Sequence, residues 1–274
     1  MIVICLNGTL SGYVLTSFLE NEGRNHSDRI LLFNMWIDLP LSDSPQYEIL
    51  YVIQVLSLYH VGICFICFDN FLCIVNLYIT AQFRILRHRL MNLGGVDTEV
   101  ETKSNIEWYQ YTGRCYLEFK DCVRKHQENI DYCNKVNRIF TIISLVHVLV
   151  FNVLLGLVCY EVFLAQIVLM RRLLFTFNII GSLIQLFGFT YSCGSIMNES
   201  SKIGTAAYSG PWTRLPMNLV GKMIRKDLNM MILRSEQPCS INAGRFFPIC
   251  LETFTAVVST AMSYLTLLRQ SMIN

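Results

Sequence analysis

Long apolar runs recur along the 274-residue chain, each separated from the next by a polar stretch. A helix needs about 20 mostly apolar residues to cross a bilayer. Four runs meet this requirement: Leu50–Thr80, Phe140–Met170, Leu173–Met197 and Phe246–Leu268. A fifth run, Met1–Leu19, lacks the basic start and small-residue cleavage site of a signal peptide, so it is interpreted as a span. The pattern predicts an all-α fold, a polytopic transmembrane helical bundle of five spans.

Two polar stretches between the runs carry apolar residues at helical spacing. Ile106–Arg138 is predicted to form an amphipathic helix that continues into the next span. The pattern predicts a second helix over Leu215–Leu233, with Pro216 in its first turn. We expect the apolar stripes of the two helices to pack against each other outside the membrane. The stripe of the second helix consists of Leu215, Leu219, Met223, Met230 and Leu233.

Composition and charge place the chain in the membrane and orient it. With 53% hydrophobic residues, 15% charged residues and a mean hydropathy of +0.42, the chain is neither disordered nor an ordinary soluble domain. Residues 84–138 and 202–245 hold 17 of the 22 Lys and Arg. The positive-inside rule makes both stretches cytoplasmic and the C-terminus extracellular. Residues 20–48, with six acids and two Arg, are predicted to be extracellular, and Asn25 there begins a glycosylation sequon.

These assignments divide the chain into five segments. The first, 1–83, contains two spans and the extracellular loop 20–48. A cytoplasmic loop and helix, 84–138, is followed by a two-span hairpin, 139–197, in which Arg171 and Arg172 mark a tight turn. The last two are a cytoplasmic anchor helix, 198–245, and a last span with an extracellular C-terminus, 246–274.

The sequence carries no pattern that indicates catalysis, a metal or a cofactor. Seven of the eleven Cys lie within apolar runs, and Cys64 and Cys67 have neither a second such pair nor a nearby His pair. No nucleophile-and-base arrangement and no phosphate-binding glycine motif occurs. The ionisable groups in the spans, Asp69, His60 and His147, are therefore interpreted as hydrogen-bonding partners between helices.

The last span differs from the others in its small and hydroxyl-bearing residues. Thr255, Ser259, Ser263 and Thr266 recur every three or four positions and so share one helix face. Such a face either permits close helix packing or lines a water-filled path in a symmetric assembly. The residues alone leave both interpretations open.

The order of residues resembles the insect odorant receptor family of odorant-gated cation channels. The densest part of the resemblance is a Trp after a short turn, a basic helix, Gln-Pro and a small-residue turn before the last span. Two further blocks, which begin at Ser44 and Arg124, resemble the segments that form the family's fourth span and lead into its fifth. In this sequence the dense part comprises Tyr208, Trp212, Leu215, Pro216, Arg225, Arg234, Gln237, Pro238, Ala243, Gly244, Phe247 and Glu252 to Phe254.

The resemblance implies a seven-span subunit in which the five spans here correspond to the third through seventh. It further implies a heterotetrameric cation channel with an odorant co-receptor subunit, in the plasma membrane of olfactory sensory neurons, and a small volatile ligand. The segment matching the family's first two spans is not found in this sequence, so a truncated, non-functional product is one alternative. A gustatory receptor, a G-protein-coupled receptor and a transporter are others, although the G-protein-coupled signatures and the paired broken helices of transporters do not occur.

The resemblance also assigns residues to roles. The pore would be lined by Ser259, Ser263, Thr266, Leu267 as the hydrophobic gate and Gln270 as the polar filter, with Arg269 turned away. Tyr208, Trp212, Gln237 and Pro238 would belong to the cytoplasmic anchor. The ligand pocket would be lined by Ser11, Tyr13 and Ser17 of the first span, Gln54, Ser57 and Leu58 of the second, and Phe177, Asn178 and Gly181 of the fourth.

Overall fold

The computed structural model describes residues 2–21, 31–32, 45–93, 105–163, 169–215 and 217–273. Nearly all of them are helical. In chain order the helices are α1 Ile2–Asn21, α2 Gln46–Met91, α3 Asn105–Phe163, α4 Leu169–Ser209, a 3-10 helix Pro211–Arg214, α5 Leu219–Ser235 and α6 Leu251–Ile273. A hairpin of two-residue strands, β1 Asn242–Ala243 and β2 Phe247–Pro248, precedes α6. Asn25 and the loop 94–104 lie outside the described residues.

Four helices in the described part of the chain, α2, α3, α4 and α6, are long and apolar enough to cross a membrane. They contain four of the five predicted spans, and the fold is a polytopic helical bundle. The fifth predicted span corresponds to α1 and stays a prediction. Helix α3 has 59 residues and runs without a break from the predicted cytoplasmic helix into the span, which confirms that continuity.

Several predicted boundaries are wrong. Arg171 and Arg172 lie in the first turn of α4 rather than in a turn between helices, and residues 164–168 lie outside the described residues. Helix α4 continues to Ser209, well past the predicted end of its span at Met197. The last helix begins at Leu251 rather than Phe246, because residues 242–248 form the hairpin.

The chain forms two compact units, each assembled from separate stretches. The first comprises 1–72, 148–189 and 254–274, and the second comprises 73–147 and 190–253. In the first unit, Gln185 of α4 donates a hydrogen bond to the Asp69 carboxylate of α2, which is buried. This bond confirms the interpretation of Asp69 as a partner between helices. Nearby, ring contacts join Phe65 to Phe151 and Phe187 to Phe254.

The core of the second unit combines large apolar side chains with buried polar groups. Phe83, Phe119 and Ile196 are almost fully buried. His126 of α3 is buried with its ring edge against Phe83, at a centroid distance of 6.4 Å. Burial, together with the charge of Arg234, lowers the pKa of His126 to about 4. The imidazole is therefore neutral at physiological pH and packs as a core residue.

In the second unit, a buried carboxylate lies close to three cationic side chains. The Glu199 side chain of α4 is 5% exposed, and its Oε2 accepts a hydrogen bond from Arg87 Nη1 of α2 at 2.8 Å. Arg84 Nε and Lys202 Nζ lie 3.5 and 3.4 Å from Glu199 Oε1. The three cations are partly exposed, so they contact water as well as the carboxylate. Glu199 thus joins α2 to α4 with a single buried charge.

The hairpin before α6 closes through a left-handed turn. Gly244 and Arg245 have φ of +58° and +64°, and Phe246 N donates to Ala243 O at 2.9 Å, which closes a tight turn between the strands. Three hydrogen bonds hold the hairpin on α3: Gly244 N to Thr141 O, Thr141 Oγ1 to Asn242 O and Asn242 N to Asn137 Oδ1. The small-residue turn seen in the sequence is therefore the corner from which the last helix starts.

The predicted face of α5 is wrong. Its buried residues are Gly221, Ile224, Leu228, Met231 and Ser235, whereas the predicted stripe of Leu219, Met223, Met230 and Leu233 is exposed. The helix also begins later than expected, because Leu215 is extended and Asn218 caps the helix by accepting from Gly221 N at 2.8 Å. Helix α5 is thus apolar on two faces, of which the described residues bury one.

Candidate functional site

In the first unit, α1 contacts both α2 and α4, the helices that carry the other predicted pocket residues. Toward α2, Tyr51 donates to Val14 O at 3.3 Å and the Ser11 and Tyr59 hydroxyls lie 3.2 Å apart. Toward α4, the Tyr13 and Phe175 rings meet edge to face with centroids 5.6 Å apart. The order of these contacts along the chain makes α1 antiparallel to both neighbours.

Glycines allow α1 to approach α4 closely. A Cβ built on Gly12 would overlap the Leu174 side chain, and one on Gly8 would lie 4.0 Å from the Phe177 ring. Tyr13 can therefore reach across to α4, where its hydroxyl lies near the Asn178 side chain. Asn178 Oδ1 accepts from Ser182 Oγ at 3.2 Å. Two predicted pocket residues, Tyr13 and Asn178, are thus neighbours.

The other predicted pocket residues differ in burial. Ser17 and Gln54 are buried, Leu58 and Gly181 are half-buried, and Ser11, Ser57 and Phe177 are exposed. The Ser17 hydroxyl has no hydrogen-bond partner among the described residues. A buried unpaired hydroxyl costs free energy, on the order of 1–3 kcal/mol. Ser17 is therefore the predicted pocket residue with an unused polar atom.

Sequence reasoning missed the aromatic residues that face α1. Tyr47, Tyr51 and Tyr59 of α2 each place a hydroxyl against α1, and Asn21 Nδ2 donates to Tyr47 at 3.1 Å. Their signal was the spacing of Tyr residues by four and eight positions, which puts them on one side of α2. Phe175, against Tyr13, had no comparable signal within its continuous apolar run.

On α6, the hydroxyl stripe faces away from the rest of the chain. The residues Ser259, Ser263, Thr266, Leu267 and Gln270 are all exposed, and Arg269 is exposed as well. The buried residues of the helix are Thr253, Val257 and Ala261. At about 100° per residue, Val257 and Ala261 lie roughly 160° from the stripe. Packing among the described residues therefore does not explain the stripe.

The hydroxyl donors of the stripe are used within the helix. Ser263 Oγ donates to Ser259 O at 2.9 Å and Thr266 Oγ1 donates to Ser263 O at 2.7 Å. Because each hydroxyl hydrogen is engaged by the backbone, the oxygen lone pairs point outward. The exposed face therefore presents oxygen acceptors, the type of ligand that hard cations prefer.

The chain matches one known protein family over most of its length. A sequence model described as 7tm Odorant receptor matches residues 1–262. The chain belongs to the odorant receptor family. The family is one of membrane receptors rather than enzymes, and the four described helices that could cross a membrane agree with it.

Two named relatives support this family membership. Odorant receptor 10 of Aedes albopictus is 30% identical over 235 residues, which cover 83% of this odorant receptor chain and 56% of that protein. Odorant receptor Or2 of Anopheles gambiae is 28% identical over 229 residues, or 83% and 57% of the two chains. The chain thus spans little more than half the length of these relatives.

Solved structures share the fold. The insect olfactory receptor OR5 of Machilis hrabei in complex with eugenol superposes with a TM-score of 0.79 at 12% identity, covering 98% of this chain and 64% of that chain. A second structure of the same receptor gives a TM-score of 0.76, with 98% and 65% covered. At this identity the likeness establishes the helical architecture of the odorant receptor chain and not its ligand.

Several residues of the family pattern form hydrogen bonds in and around the turns that flank α5. Trp212 Nε1 donates to Tyr208 O at 2.7 Å, which folds the 3-10 helix back on α4. Arg225 donates to Leu215 O at 2.7 Å and to Trp212 O at 3.3 Å. Arg234 likewise donates to Gln237 O at 2.7 Å. Trp212 and Gln237 are therefore held in turns by the basic residues of α5, whereas exposed Pro238 has no described contact of this kind.

Proposed function

We propose that the chain is a subunit of an odorant-gated cation channel that acts with a co-receptor subunit in the plasma membrane of olfactory sensory neurons. The observation that carries the proposal is the hydroxyl stripe of α6, which turns away from the buried face of its own helix. In a ring of subunits such faces would converge on a central path. Leu267, 62% exposed on this side, would form the gate, and Gln270 would form the filter.

The ligand would bind where α1 meets α2 and α4. This region combines aromatic rings and apolar side chains with a few polar atoms, which suits a small volatile molecule. Ser11, Tyr13 and Ser17 would contact it from α1, Gln54, Ser57 and Leu58 from α2, and Phe177, Asn178 and Gly181 from α4. Ligand binding would favour an open state by binding it more tightly than the closed one.

Assembly would use the exposed apolar face of α5 together with the turn that Tyr208, Trp212, Gln237 and Pro238 belong to. A face of four large apolar side chains that the chain itself leaves uncovered is typical of a contact between proteins. On the predicted orientation, this face and the turn lie on the cytoplasmic side, and Asn25 lies outside the cell.

The proposal predicts odorant-evoked cation current in cells that express the open reading frame containing this sequence together with an insect odorant co-receptor. Whole-cell recording across a broad panel of volatiles measures it. Cells with the co-receptor alone are the control. Surface expression of both subunits without any evoked current across the panel would refute the proposed function.

Ser17→Ala is expected to raise the half-maximal concentration of a polar odorant about two- to tenfold, the equivalent of one hydrogen bond. The stability of the chain should not fall, because the hydroxyl has no partner among the described residues. Dose–response curves and thermal unfolding measure the two effects.

The matched control is Thr16→Val. Thr16 is also buried, but its hydroxyl donates to Gly12 O and Tyr13 O within α1. It should leave the dose–response curve unchanged. Equal shifts in the two variants would show that Ser17 acts through helix packing rather than through the ligand.

A further inference from the structure

A groove in the second unit lies between α2 and α3 at the end of the predicted span. Its volume is about 640 Å³, within the range of small-ligand sites. From α2 it is lined by Ile74, Val75 and Tyr78. Farther along α2, the apolar run ends at Thr80 and the basic stretch begins at Arg84. The groove thus spans the change from hydrocarbon to polar surroundings.

The polar end of the groove offers one cation and several hydrogen-bond donors. Lys125 and Asn129 of α3 and Gln82 of α2 line this end. Lys125 makes no ion pair within the described part of the chain, although it lies among acidic neighbours on its own helix. An ammonium and two amides converge here on a volume that no described side chain fills.

Two tyrosines in the groove are suited to a membrane surface. The rings of Tyr78 and Tyr132 meet edge to face with centroids 6.1 Å apart, and both residues line the groove. Tyr side chains concentrate at membrane interfaces because the ring is apolar and the hydroxyl is polar. Toward the span, Ile74 and Leu77 are exposed on α2 and offer a surface for an acyl chain.

A carboxylate at the rim narrows the choice of ligand. Glu128 lines the groove beside Lys125, and its contact with Arg124 is long, at 3.8 Å, between two side chains that are each about two-thirds exposed. A polyanionic head group would need several cations and would be repelled by Glu128. A head group that carries an ammonium as well as anionic oxygens would match both charges.

We propose that this groove binds the head group of phosphatidylserine from the cytoplasmic leaflet. Lys125 binds the phosphate and carboxylate oxygens, and Gln82 and Asn129 donate hydrogen bonds to the same oxygens. Glu128 binds the serine ammonium. The lipid belongs to that leaflet because residues 84–138 lie on the basic face of the chain and anionic lipids concentrate on the cytoplasmic side. The site needs neither an odorant nor the channel activity.

The test is lipid binding by the purified full chain in phosphatidylcholine nanodiscs, with small fractions of a second lipid. Phosphatidylserine should raise the thermal stability and be retained in native mass spectra. Lys125→Gln should weaken its binding about fivefold, as expected for one cation at a membrane surface. The matched control Lys120→Gln removes an exposed cation from the same helix and should change nothing.

Glu128→Gln separates head-group recognition from general attraction to anionic lipids. It should weaken phosphatidylserine binding while leaving phosphatidylglycerol, which has no ammonium, unchanged. Equal binding of phosphatidylserine and phosphatidylglycerol by the unsubstituted chain would overturn the proposal, as would stronger binding of a phosphoinositide. Loss of co-receptor association in Lys125→Gln with unaltered lipid binding would make the groove a subunit contact and would overturn it too.

Discussion

Glu199→Ala should lower the free energy of unfolding by about 3 kcal/mol, the lower end of the cost of breaking a buried ion pair. The Glu199 carboxylate is buried, and it balances the charges of Arg84, Arg87 and Lys202. Without it, the three cations repel one another with no counter-charge. The value lies at the low end because the cations remain partly hydrated.

Thermal unfolding of the purified chain in detergent measures this loss. A deficit of this size corresponds to a Tm roughly 6–10 °C lower for a chain of this length. The control is Glu128→Ala, which removes an exposed partner of Arg124 and should cost no more than about 0.5 kcal/mol. Equal Tm values for the two variants would mean that the buried carboxylate does not hold α2 to α4.

Met230→Glu should prevent assembly with the co-receptor. Met230 is exposed on the second apolar face of α5, together with Leu219, Met223 and Leu233. If this face is buried between subunits, the added carboxylate loses its water without gaining a partner, which costs several kcal/mol. Because each 1.4 kcal/mol is a factor of ten, the association should fall more than about tenfold.

Co-purification of the tagged co-receptor from membranes measures this association. Asn229→Glu adds the same charge to the neighbouring residue, which is also exposed but lies about 100° around the helix from Met230. This control should assemble normally. If Met230→Glu assembles as well as Asn229→Glu, the apolar face does not form the subunit contact.

The sequence predicted the helical elements better than their faces. Apolar runs of bilayer length and the basic stretches between them were enough to place α2, α3, α4 and α6. The continuity of α3 followed from helical spacing on both sides of residue 139. Boundaries failed where local signals were weak, as at Phe246, where hydrogen bonds to Thr141 hold a hairpin in place of the first helical turn.

The error on α5 has a physical cause. The helix carries Leu219, Met223, Met230 and Leu233 on one side and Ile224, Leu228 and Met231 on another, so hydrophobicity alone does not choose between them. On the buried side, Ser235 packs closely against Gly204 of α4, where an added Cβ would overlap the Ser235 hydroxyl. On the proposed function, the other apolar face would contact another subunit.

The candidate site was predictable in part. The family resemblance assigned Tyr13, Ser17 and Asn178 to the pocket before the contacts of α1 were known. The Tyr residues of α2 are amphipathic and common in membrane helices, and nothing in one sequence says which helix they face. Only the antiparallel packing of α1 and α2 brings Tyr47, Tyr51 and Tyr59 to α1.

The central claim is that the hydroxyl face of α6 lines a cation path, and Thr266→Val tests it most directly. Thr266 Oγ1 donates to Ser263 O and turns its lone pairs outward, while Leu268 lies about 200° around the helix from Thr266, on the side of the buried Val257 and Ala261. Odorant-evoked currents from the chain with its co-receptor give the Ca²⁺-to-Na⁺ permeability ratio of each variant. Thr266→Val should change this ratio about two- to tenfold, as expected for the loss of one oxygen contact, and Leu268→Val should leave it unchanged. Identical ratios in both variants and the unsubstituted chain would contradict a pore lined by this face.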